Sequence, residues 1–300
     1  MKKSRYHLTI SGKTKFLNFF RSLFILVSFD KILARLARNK PVDSFVAKLC
    51  PPNYLYKTGS VRNFTVDGIS YSLDVSDTMG HANYFAIYDP AQMLLYKKVK
   101  EGMTIFDVGA NIGSTTLNFA KLVEGEGKVF SFEPDPLNYS RALKNISLNK
   151  FSNITLFNHG VGEVKETAYL YNVNENNRGM LRILNQAEEI NNFSKSAIEI
   201  DTIDRIIAEK KISKPDIIKI DVEGYELKVL KGAEKTLEKY KPILFIELDD
   251  ENLKEQHSSA VELIKYLSGL RYTISNASNN IPINSQTDFT NCHFDIICIV

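Results

Sequence analysis

Apolar positions after residue 103 follow two patterns that alternate along the chain. Short, nearly continuous apolar runs have the length and composition of buried strands, and the longer segments between them show the spacing of amphipathic helices. This alternation predicts a doubly wound α/β fold, in which a mostly parallel sheet carries helices on both faces. The predicted strands are 105–108, 128–132, 154–157, 166–172, 197–200, 216–220, 242–246, 271–275 and 294–300. The predicted helices are 114–123, 136–149, 225–239 and 258–267.

The first hundred residues have a different pattern. Residues 1–50 are predicted to be helical, and a Pro-Pro pair at 51–52 ends this stretch. Two alternating segments, 61–66 and 69–75, are joined by an Asp-Gly pair at 67–68, which predicts a β-hairpin. The predicted parts of the chain are a basic helical arm (1–50), a hairpin or lid region (51–100) and a ligand-binding domain (101–300).

Charge is unevenly distributed over a chain whose net charge is only +3. Residues 1–50 hold eleven Lys and Arg against Asp30 and Asp43, so the arm carries +9 and the rest of the chain about −6. A nucleic-acid-binding enzyme would need a basic surface on its ligand-binding body. The acidic body therefore predicts that no nucleic acid is bound.

Segment 13–39 of the arm is amphipathic. On one continuous helix its polar side would carry Arg21, Ser28, Lys31, Arg35 and Arg38. The apolar run is too short to span a bilayer. Such a helix could lie on a membrane surface, pack on its own domain, or pack on a second subunit in a homodimer. All three partners remain open at this point.

The cysteine and histidine spacings predict neither disulfides nor a metal site. Cys50, Cys292 and Cys298 form no even set and no CxxC pair, so buried free thiols and a reducing, cytoplasmic setting are expected. Association with the inner face of the membrane is the alternative location. The histidines show none of the spacings that hold zinc.

Four of the predicted strands end in a carboxylate: Asp107, Glu133, Asp221 and Glu247. A buried carboxylate is costly unless a partner stabilises its charge. Because the carboxyl ends of parallel strands meet at one edge of a sheet, where ligands bind, these acids are expected to converge. The sequence therefore predicts an acidic pocket for a ligand that carries hydroxyl groups, an amine or a positive charge.

The glycines after the first of these strands narrow the choice of ligand. A dinucleotide pyrophosphate prefers a G-x-G-x-x-G turn, whereas Gly109 and Gly113 form a G-x-x-x-G directly after Asp107. S-Adenosylmethionine has no phosphate, and its ammonium and sulfonium suit nearby acids. Glu133 is placed to hold the ribose hydroxyls. The pattern therefore favours S-adenosylmethionine over a nicotinamide cofactor, although Glu133 would also suit the ribose of NAD in a dehydrogenase.

Several of these segments together resemble the FkbM-type methyltransferases, within the class I fold that uses S-adenosylmethionine. The matching segments are FDVGANIG (106–113), FEPDP (132–136), NKFSNITLFN (149–158), IDTID (200–204), IKIDVEGYELKVLKGA (218–233) and PILFIE (242–247). The resemblance implies a seven-stranded sheet whose last strand, 294–300, is antiparallel. It also implies methylation of hydroxyl groups on natural products, sugars or glycans, without a required metal.

The resemblance and the strand-end argument together assign the cofactor-binding residues. The methionine side is assigned to Asp107, Gly109, Ala110, Asn111 and Gly113. The ribose is assigned to Glu133, and the adenine to Asp135, Gly160 and Val161. Asp221 is placed near the sulfonium or the amine of the donor.

Candidates for catalysis and acceptor binding lie at the same edge and in the region before it. Glu223 is predicted to point towards the acceptor, or else to cap the following helix. Glu247 could be the general base or a partner of the base, and His81 is a further candidate base. The candidate acceptor-binding residues are Tyr84, Tyr88, Asp89 and Arg178.

The leading hypothesis is O-methylation of a saccharide, glycan or secondary metabolite. N-methylation of a small molecule or peptide is the alternative within the same chemistry. An NAD-linked dehydrogenase fits the glycine spacing and the four acids less well. A non-catalytic interaction module, tethered by segment 13–39, is the rival from a different functional class.

Overall fold

A computed structural model of the chain describes residues 11–41, 43–86, 89–172, 181–184 and 195–300. The chain divides into two compact units. The smaller unit is built from the chain up to Asn63 and from the segment that begins at Ser72, and the larger from Phe64–Tyr71 and Asp89–Val300. The division passes through the hairpin. The backbone N–H of Ser70 in this hairpin donates to the side-chain oxygen of Asn149, and the side-chain NH2 of Asn149 donates to the carbonyl of Ser70.

Helices make up most of the smaller unit. The elements before Asp89 are α1 (Gly12–Leu26), α2 (Asp30–Ala37), α3 (Phe45–Leu49), a 3₁₀ turn (Asn53–Leu55), β1 (Val61–Val66), β2 (Ile69–Asp74) and α4 (Thr78–Phe85). The pairing of β1 with β2 confirms the predicted hairpin. Segment 13–39 is two helices rather than one, because Ser28 takes a left-handed conformation with φ of +56° and interrupts it.

The larger unit alternates strands and helices. Its elements are α5 (Pro90–Lys98), β3 (Thr104–Val108), α6 (Ser114–Val123), β4 (Lys128–Phe132), α7 (Pro136–Ser147), β5 (Ile154–Phe157), β6 (Gly160–Val161), β7 (Glu166–Asn172), β8 (Leu181–Leu184), β9 (Lys195–Asp201), α8 (Ile203–Lys210), β10 (Ile217–Ile220), α9 (Glu226–Lys231), α10 (Glu234–Tyr240), β11 (Ile243–Asp249), α11 (Asp250–Glu255), α12 (Ala260–Gly269), β12 (Thr273–Asn276) and β13 (His293–Ile299).

The main sheet has seven strands in the order β12-β13-β11-β10-β3-β4-β5. The pairs from β11 to β5 are parallel, and β13 runs antiparallel to both of its neighbours. This arrangement confirms the predicted doubly wound sheet with an antiparallel last strand. It places the carboxyl ends of β3, β4, β10 and β11 along one edge, where a crevice for ligands is expected.

The register of the central strands decides which side chains meet. Phe106 and Val108 pack into the core on one face of the sheet, and Ile105 packs into the core on the other. Because side chains alternate along a strand, Asp107 shares the face of Ile105. Lys219 of β10 is paired with Asp107 in the register, so the two side chains lie next to each other on that face.

Two elements differ from the sequence-based expectation in ways that affect the site. The helix predicted at 225–239 is divided into α9 and α10 at Gly232, where a Cβ would overlap the carbonyl of Gly162. The strand predicted at 242–246 continues to Asp249, so Glu247 lies inside β11 and is paired with Asp295 of β13. A second sheet, with the order β6-β9-β7-β8, contains the residues after β5.

Candidate active site

The loop between β3 and α6 turns through three residues of positive φ: Gly109 (+84°), Asn111 (+50°) and Gly113 (+79°). The N–H groups of Gly109 and Ala110 both donate to the carbonyl of Phe132, at 3.1 and 3.0 Å. A left-handed conformation is inexpensive for glycine and tolerable for asparagine, which explains the residue types at these positions. The loop is therefore fastened to the end of β4.

Asp107 is fully buried behind this loop. Thr116 of α6 donates its hydroxyl to Asp107 Oδ2 at 2.6 Å and lies 2.9 Å from the hydroxyl of Ser131. Burial raises the pKa of Asp107, and the neighbouring ammonium of Lys219 opposes that shift. The carboxylate thus ties α6 and β10 to β3, and this geometry favours a role in shaping the loop over contact with the donor.

Lys219 is the charged partner of two of the four acids, Asp221 and Asp107. Its ammonium lies 3.0 Å from Asp221 Oδ2 and 3.7 Å from Asp107 Oδ1, and it donates to the carbonyl of Gly109 at 3.1 Å. Burial works against this positive charge, but the carboxylates of Asp221 and Asp107 outweigh burial and raise the pKa of Lys219. One lysine therefore links the glycine loop to two of the predicted acids.

Glu133 follows β4 and is almost fully buried. Its Oε2 accepts the N–H of Asn111 at 2.8 Å, and its Oε1 accepts the N–H of Asp135 at 2.9 Å. Burial raises its pKa to about 8, although these two N–H groups favour the charged form. The carboxylate is held rigidly between the glycine loop and the start of α7.

The residues assigned to the adenine have structural partners of their own. Asp135 caps α7 by accepting the N–H of Asn138 at 3.0 Å. Gly160 and Val161 form β6, which pairs with β9. The stacked rings of Phe132 and Phe157, beside His159, lie next to this segment. Contact of Asp135, Gly160 or Val161 with a nucleoside stays a prediction.

The loop after β10 presents the next pair of acids. Asp221 is 41% exposed while paired with Lys219. Glu223, in a left-handed conformation with φ of +54°, accepts a hydrogen bond from the amide of Asn252 at 2.9 Å. The helix start that follows is served by Glu226 instead, whose Oε1 accepts the N–H of Gly224 at 3.0 Å. The helix-capping alternative for Glu223 is therefore not what the structure shows.

Glu247 and Asp295 form an acidic shelf on adjacent strands. Burial and the nearby negative charges, that of Asp221 first, raise the pKa of Glu247 well above its usual value. Burial, with Asp221 and Asp89, raises the pKa of Asp295 to about 7. His293 is paired with Asp249 in the register of β13 and β11. Its Nδ1 lies 3.2 Å from Asp249 Oδ2, and its Nε2 lies 3.9 Å from Glu247 Oε1.

Some predicted residues lie in other settings. His81 belongs to the smaller unit, where its Nε2 is 2.7 Å from the carbonyl of Pro51 and burial lowers its pKa. This contact holds the ring and favours a structural role over that of a base. Tyr84 is buried in the same unit, and Asp89 caps α5. Tyr88 and Arg178 lie outside the described residues.

Residues 107–274 match the family model described as the methyltransferase FkbM domain. The match covers more than half of the chain and includes the glycine loop, Glu133, Lys219 and Glu247. The chain belongs to the FkbM methyltransferase family. Membership confirms both the resemblance seen in the sequence and the class of enzyme, a methyltransferase.

Several proteins are similar to this FkbM family member. The hexuronic acid methyltransferase AglP of Haloferax volcanii is 24% identical over 185 residues, which cover 60% of this chain and 68% of AglP. The 2-O-methyltransferase NoeI of Sinorhizobium fredii is 25% identical over 171 residues, which cover 52% of this chain and 67% of NoeI.

A solved structure of methyltransferase FkbM from Methylobacillus flagellatus is 21% identical, with a TM-score of 0.45. The match covers 70% of this chain and 48% of that one, so this FkbM family member spans about half the length of the solved protein.

Cys50, Cys292 and Cys298 are buried free thiols, as predicted. Over the described ranges, no helix is long and apolar enough to cross a bilayer. The same ranges contain no group of three His, Cys, Asp or Glu residues placed to hold a metal ion.

Sequence reasoning missed four residues of this FkbM site: Lys219, Glu226, His293 and Asp295. Lys219 could have been found in the run IKID, because a lysine in the middle of a buried strand needs an acidic partner. His293 and Asp295 are brought to the site by the pairing of β13 with β11, which no local pattern shows. Glu226 binds the N–H groups of Val222 and Gly224 in its own loop.

The buried carboxyl of Glu226 predicts a pH dependence of stability. Burial raises its pKa from 4.5 to about 7, so between these values the native state holds a proton that the unfolded chain has released. The free energy of unfolding should therefore fall as the pH rises through this window, by up to about 3 kcal/mol from this group. Glu133, with a pKa raised to about 8, acts in the same direction.

Urea unfolding between about pH 5 and about pH 8 tests this dependence on the wild type and Glu226→Gln. The variant keeps an oxygen for the N–H of Gly224 but cannot titrate, so its stability should fall less steeply. Glu101→Gln, at an exposed position, is the control and should follow the wild type. Parallel curves for the wild type and Glu226→Gln would contradict the assignment.

Proposed function

We propose that this methyltransferase uses S-adenosylmethionine to methylate a hydroxyl group of a saccharide. The position of Glu133 carries the assignment of the donor. This carboxylate lies at the end of β4, beside the glycine loop, where ligands of doubly wound sheets place a ribose. Each of its oxygens accepts one backbone N–H and keeps a lone pair for a ribose hydroxyl.

The charges along the edge of the sheet fit a cationic donor better than a pyrophosphate. The carboxylate of Asp221 is 41% exposed, so negative charge remains accessible there. Lys219 is buried and already paired, so it offers little to a phosphate. A pyrophosphate would bring like charges together, whereas an ammonium and a sulfonium would be stabilised. The residues present therefore fit S-adenosylmethionine.

For this chemistry the protein has to position the donor and the acceptor and to accept one proton. When bound, S-adenosylmethionine supplies a methyl carbon that its sulfonium activates. Methylation of a hydroxyl group would release its proton, and a residue of the chain would have to accept that proton. Rigid placement of Glu133 and the glycine loop serves the in-line geometry that methyl transfer needs.

Glu247 is our choice for the proton acceptor. Asp221 is committed to the ion pair with Lys219, and Glu223 is held by Asn252. Burial and neighbouring carboxylates raise the pKa of Glu247, so its ionised form is a stronger base than an ordinary glutamate. The Nε2 of His293 lies 3.9 Å from the Oε1 of Glu247.

The acceptor class rests on the relatives. AglP is named for a sugar acid and NoeI for methyl transfer to an oxygen, so the two names together support an oxygen of a saccharide as the acceptor. The acidic shelf of Glu247 and Asp295 would also attract an amine, which makes an amino group the competing acceptor.

Calorimetric titration tests the donor. The wild type is expected to bind S-adenosylmethionine and S-adenosylhomocysteine and not NAD. Glu133→Gln, which replaces one of the two acceptor oxygens proposed to hold the ribose with an NH2 group, should bind both at least about tenfold more weakly. Glu101→Gln, an exposed glutamate of the same unit, is the matched control, and circular dichroism checks that both variants fold. Binding of NAD alone would contradict the proposed donor.

Transfer of a labelled methyl group tests the acceptor and the base. Acceptors from three classes, a uronic acid, a neutral sugar and an amino sugar, are compared, and the methylated atom is located by mass spectrometry and NMR. Label on oxygen is expected, and Glu247→Gln should lower turnover while leaving the affinity for the donor unchanged. Label on nitrogen would replace the proposed acceptor but keep the donor.

A further inference from the structure

Helix α1 turns its polar residues towards the protein. Asn18 is buried and donates to the hydroxyl of Tyr54 at 3.0 Å, and the guanidinium of Arg21 donates to the carbonyl of Lys48 at 3.1 Å. On the same side, the hydroxyl of Ser22 donates to the carbonyl of Asn18 at 2.8 Å. The bonds of Asn18 and Arg21 to residues outside α1 fix which side of the helix faces inwards.

The outward side of α1 is apolar. Phe16 and Leu26 are 69% and 78% exposed, and the ring of Phe20 meets those of Phe16 and Phe19 edge to face. An amphipathic helix of a globular protein normally buries its apolar side, whereas α1 faces the protein with its polar side and exposes its apolar side. The exposed apolar residues of α1 and its end are Phe16, Phe19, Phe20, Leu23, Leu26 and Val27.

Helix α2 extends this surface. Leu33, Ala34 and Ala37 are buried, whereas Ile32 and Leu36 are exposed. The exposed ring of Phe29 lies 5.3 Å from the ring of Phe24, which connects the two helices. We call the exposed apolar residues of α1 and α2, from Phe16 to Leu36, the N-terminal apolar face. An exposed apolar surface of this kind marks an interaction site.

Positive charge accompanies the N-terminal apolar face. The exposed basic residues of α1 and α2 are Lys13, Lys15, Lys31 and Arg35. The acid of α2, Asp30, does not offset them, because it is buried and bound by Arg62 at 3.0 and 3.1 Å. Aromatic and aliphatic side chains next to Lys and Arg are the composition of helices that lie on anionic membranes.

We propose that the N-terminal apolar face binds the surface of an anionic lipid bilayer. Helix α1 has 15 residues, fewer than the roughly 20 needed to span a bilayer, so it lies in the interface with its apolar side among the acyl chains. A second copy of the chain would bring the same basic residues together, and their repulsion disfavours a symmetric dimer on this face.

Co-sedimentation of the full chain with lipid vesicles tests the proposal. Vesicles of phosphatidylcholine are compared with vesicles that also contain phosphatidylglycerol, and the protein is expected to sediment with the anionic ones. Lys31→Gln/Arg35→Gln should lower the partition coefficient by roughly 25-fold, since each basic residue near the surface is worth roughly fivefold. The triple variant Phe16→Ser/Phe20→Ser/Leu23→Ser should lower it by roughly a hundredfold.

The matched control is Leu122→Ser/Leu137→Ser/Leu143→Ser, which removes three exposed leucines from α6 and α7 of the larger unit. It should bind vesicles as the wild type does, and thermal unfolding checks that each variant folds. Three results would overturn the proposal. They are no sedimentation with anionic vesicles, equal sedimentation of the wild type and the Phe16 triple variant, and a dimer in light scattering that only this triple variant disperses.

Discussion

Lys219→Met is expected to abolish donor binding and to lower the free energy of unfolding by about 3–5 kcal/mol. The substitution keeps much of the side-chain length but removes the charge that sits between Asp107 and Asp221. Asp107 is fully buried, so its carboxylate would keep the neutral hydrogen bond from Thr116 without a cation beside it. The carbonyl of Gly109 would also lose its donor, which loosens the loop.

Urea unfolding and calorimetry measure the two effects. Lys214→Met is the matched control, because Lys214 also pairs with an aspartate, Asp216, at 3.0 Å, but is 59% exposed. An exposed pair of this kind is worth about 0–1 kcal/mol, so this control should fold and bind the donor normally.

The double variant Asp107→Asn/Lys219→Met distinguishes the cost of an unpaired buried carboxylate from the loss of the contacts that Lys219 makes. Removing both charges should recover part of the lost stability, because the uncompensated buried carboxylate is gone. It should not recover donor binding, since Gly109 and Asp221 still lack their partner. If Lys219→Met binds S-adenosylmethionine as the wild type does, the central role given to this lysine is wrong.

The role of Lys219 is an example of a contact that could not be predicted from local sequence patterns. The alternating apolar segments predicted the sheet, and the strand-end acids and the glycine spacing predicted a ligand site at its edge. All of these are local patterns. The cation that makes the acids tolerable lies in β10, more than a hundred residues from Asp107, and only the register of the two strands brings them together. The same holds for Glu223, whose orientation depends on Asn252 from another segment.

The side of a helix that faces the protein is a second feature that could not be predicted from the sequence. Segment 13–39 was predicted to form one amphipathic helix, whereas the structure has two helices, and a pattern does not say which side of each faces inwards. The hydrogen bonds of Asn18 and Arg21 decide that for α1, and they place its phenylalanines outside. His81 is a similar case, because its position before the glycine loop in the chain does not determine where its ring packs.

Gly109→Ala should destabilise the fold by at least about 3 kcal/mol and abolish donor binding. With φ of +84°, the backbone of residue 109 is strained for any side chain, which costs about 1–3 kcal/mol. A Cβ there would also overlap the carbonyl oxygen of Asp221, so the two loops would have to separate. Separation would pull Asp221 away from Lys219 and disturb both ends of the site.

The close approach of Gly109 to Asp221 couples the loop after β3 to the loop after β10, so one substitution should affect the donor and the acceptor sides together. Gly125→Ala is the matched control, because a Cβ there meets nothing within 4 Å and its φ is not positive. That control should change stability by no more than about 1 kcal/mol. Urea unfolding and calorimetry compare the two variants, and normal donor binding by Gly109→Ala would show that the loops move independently.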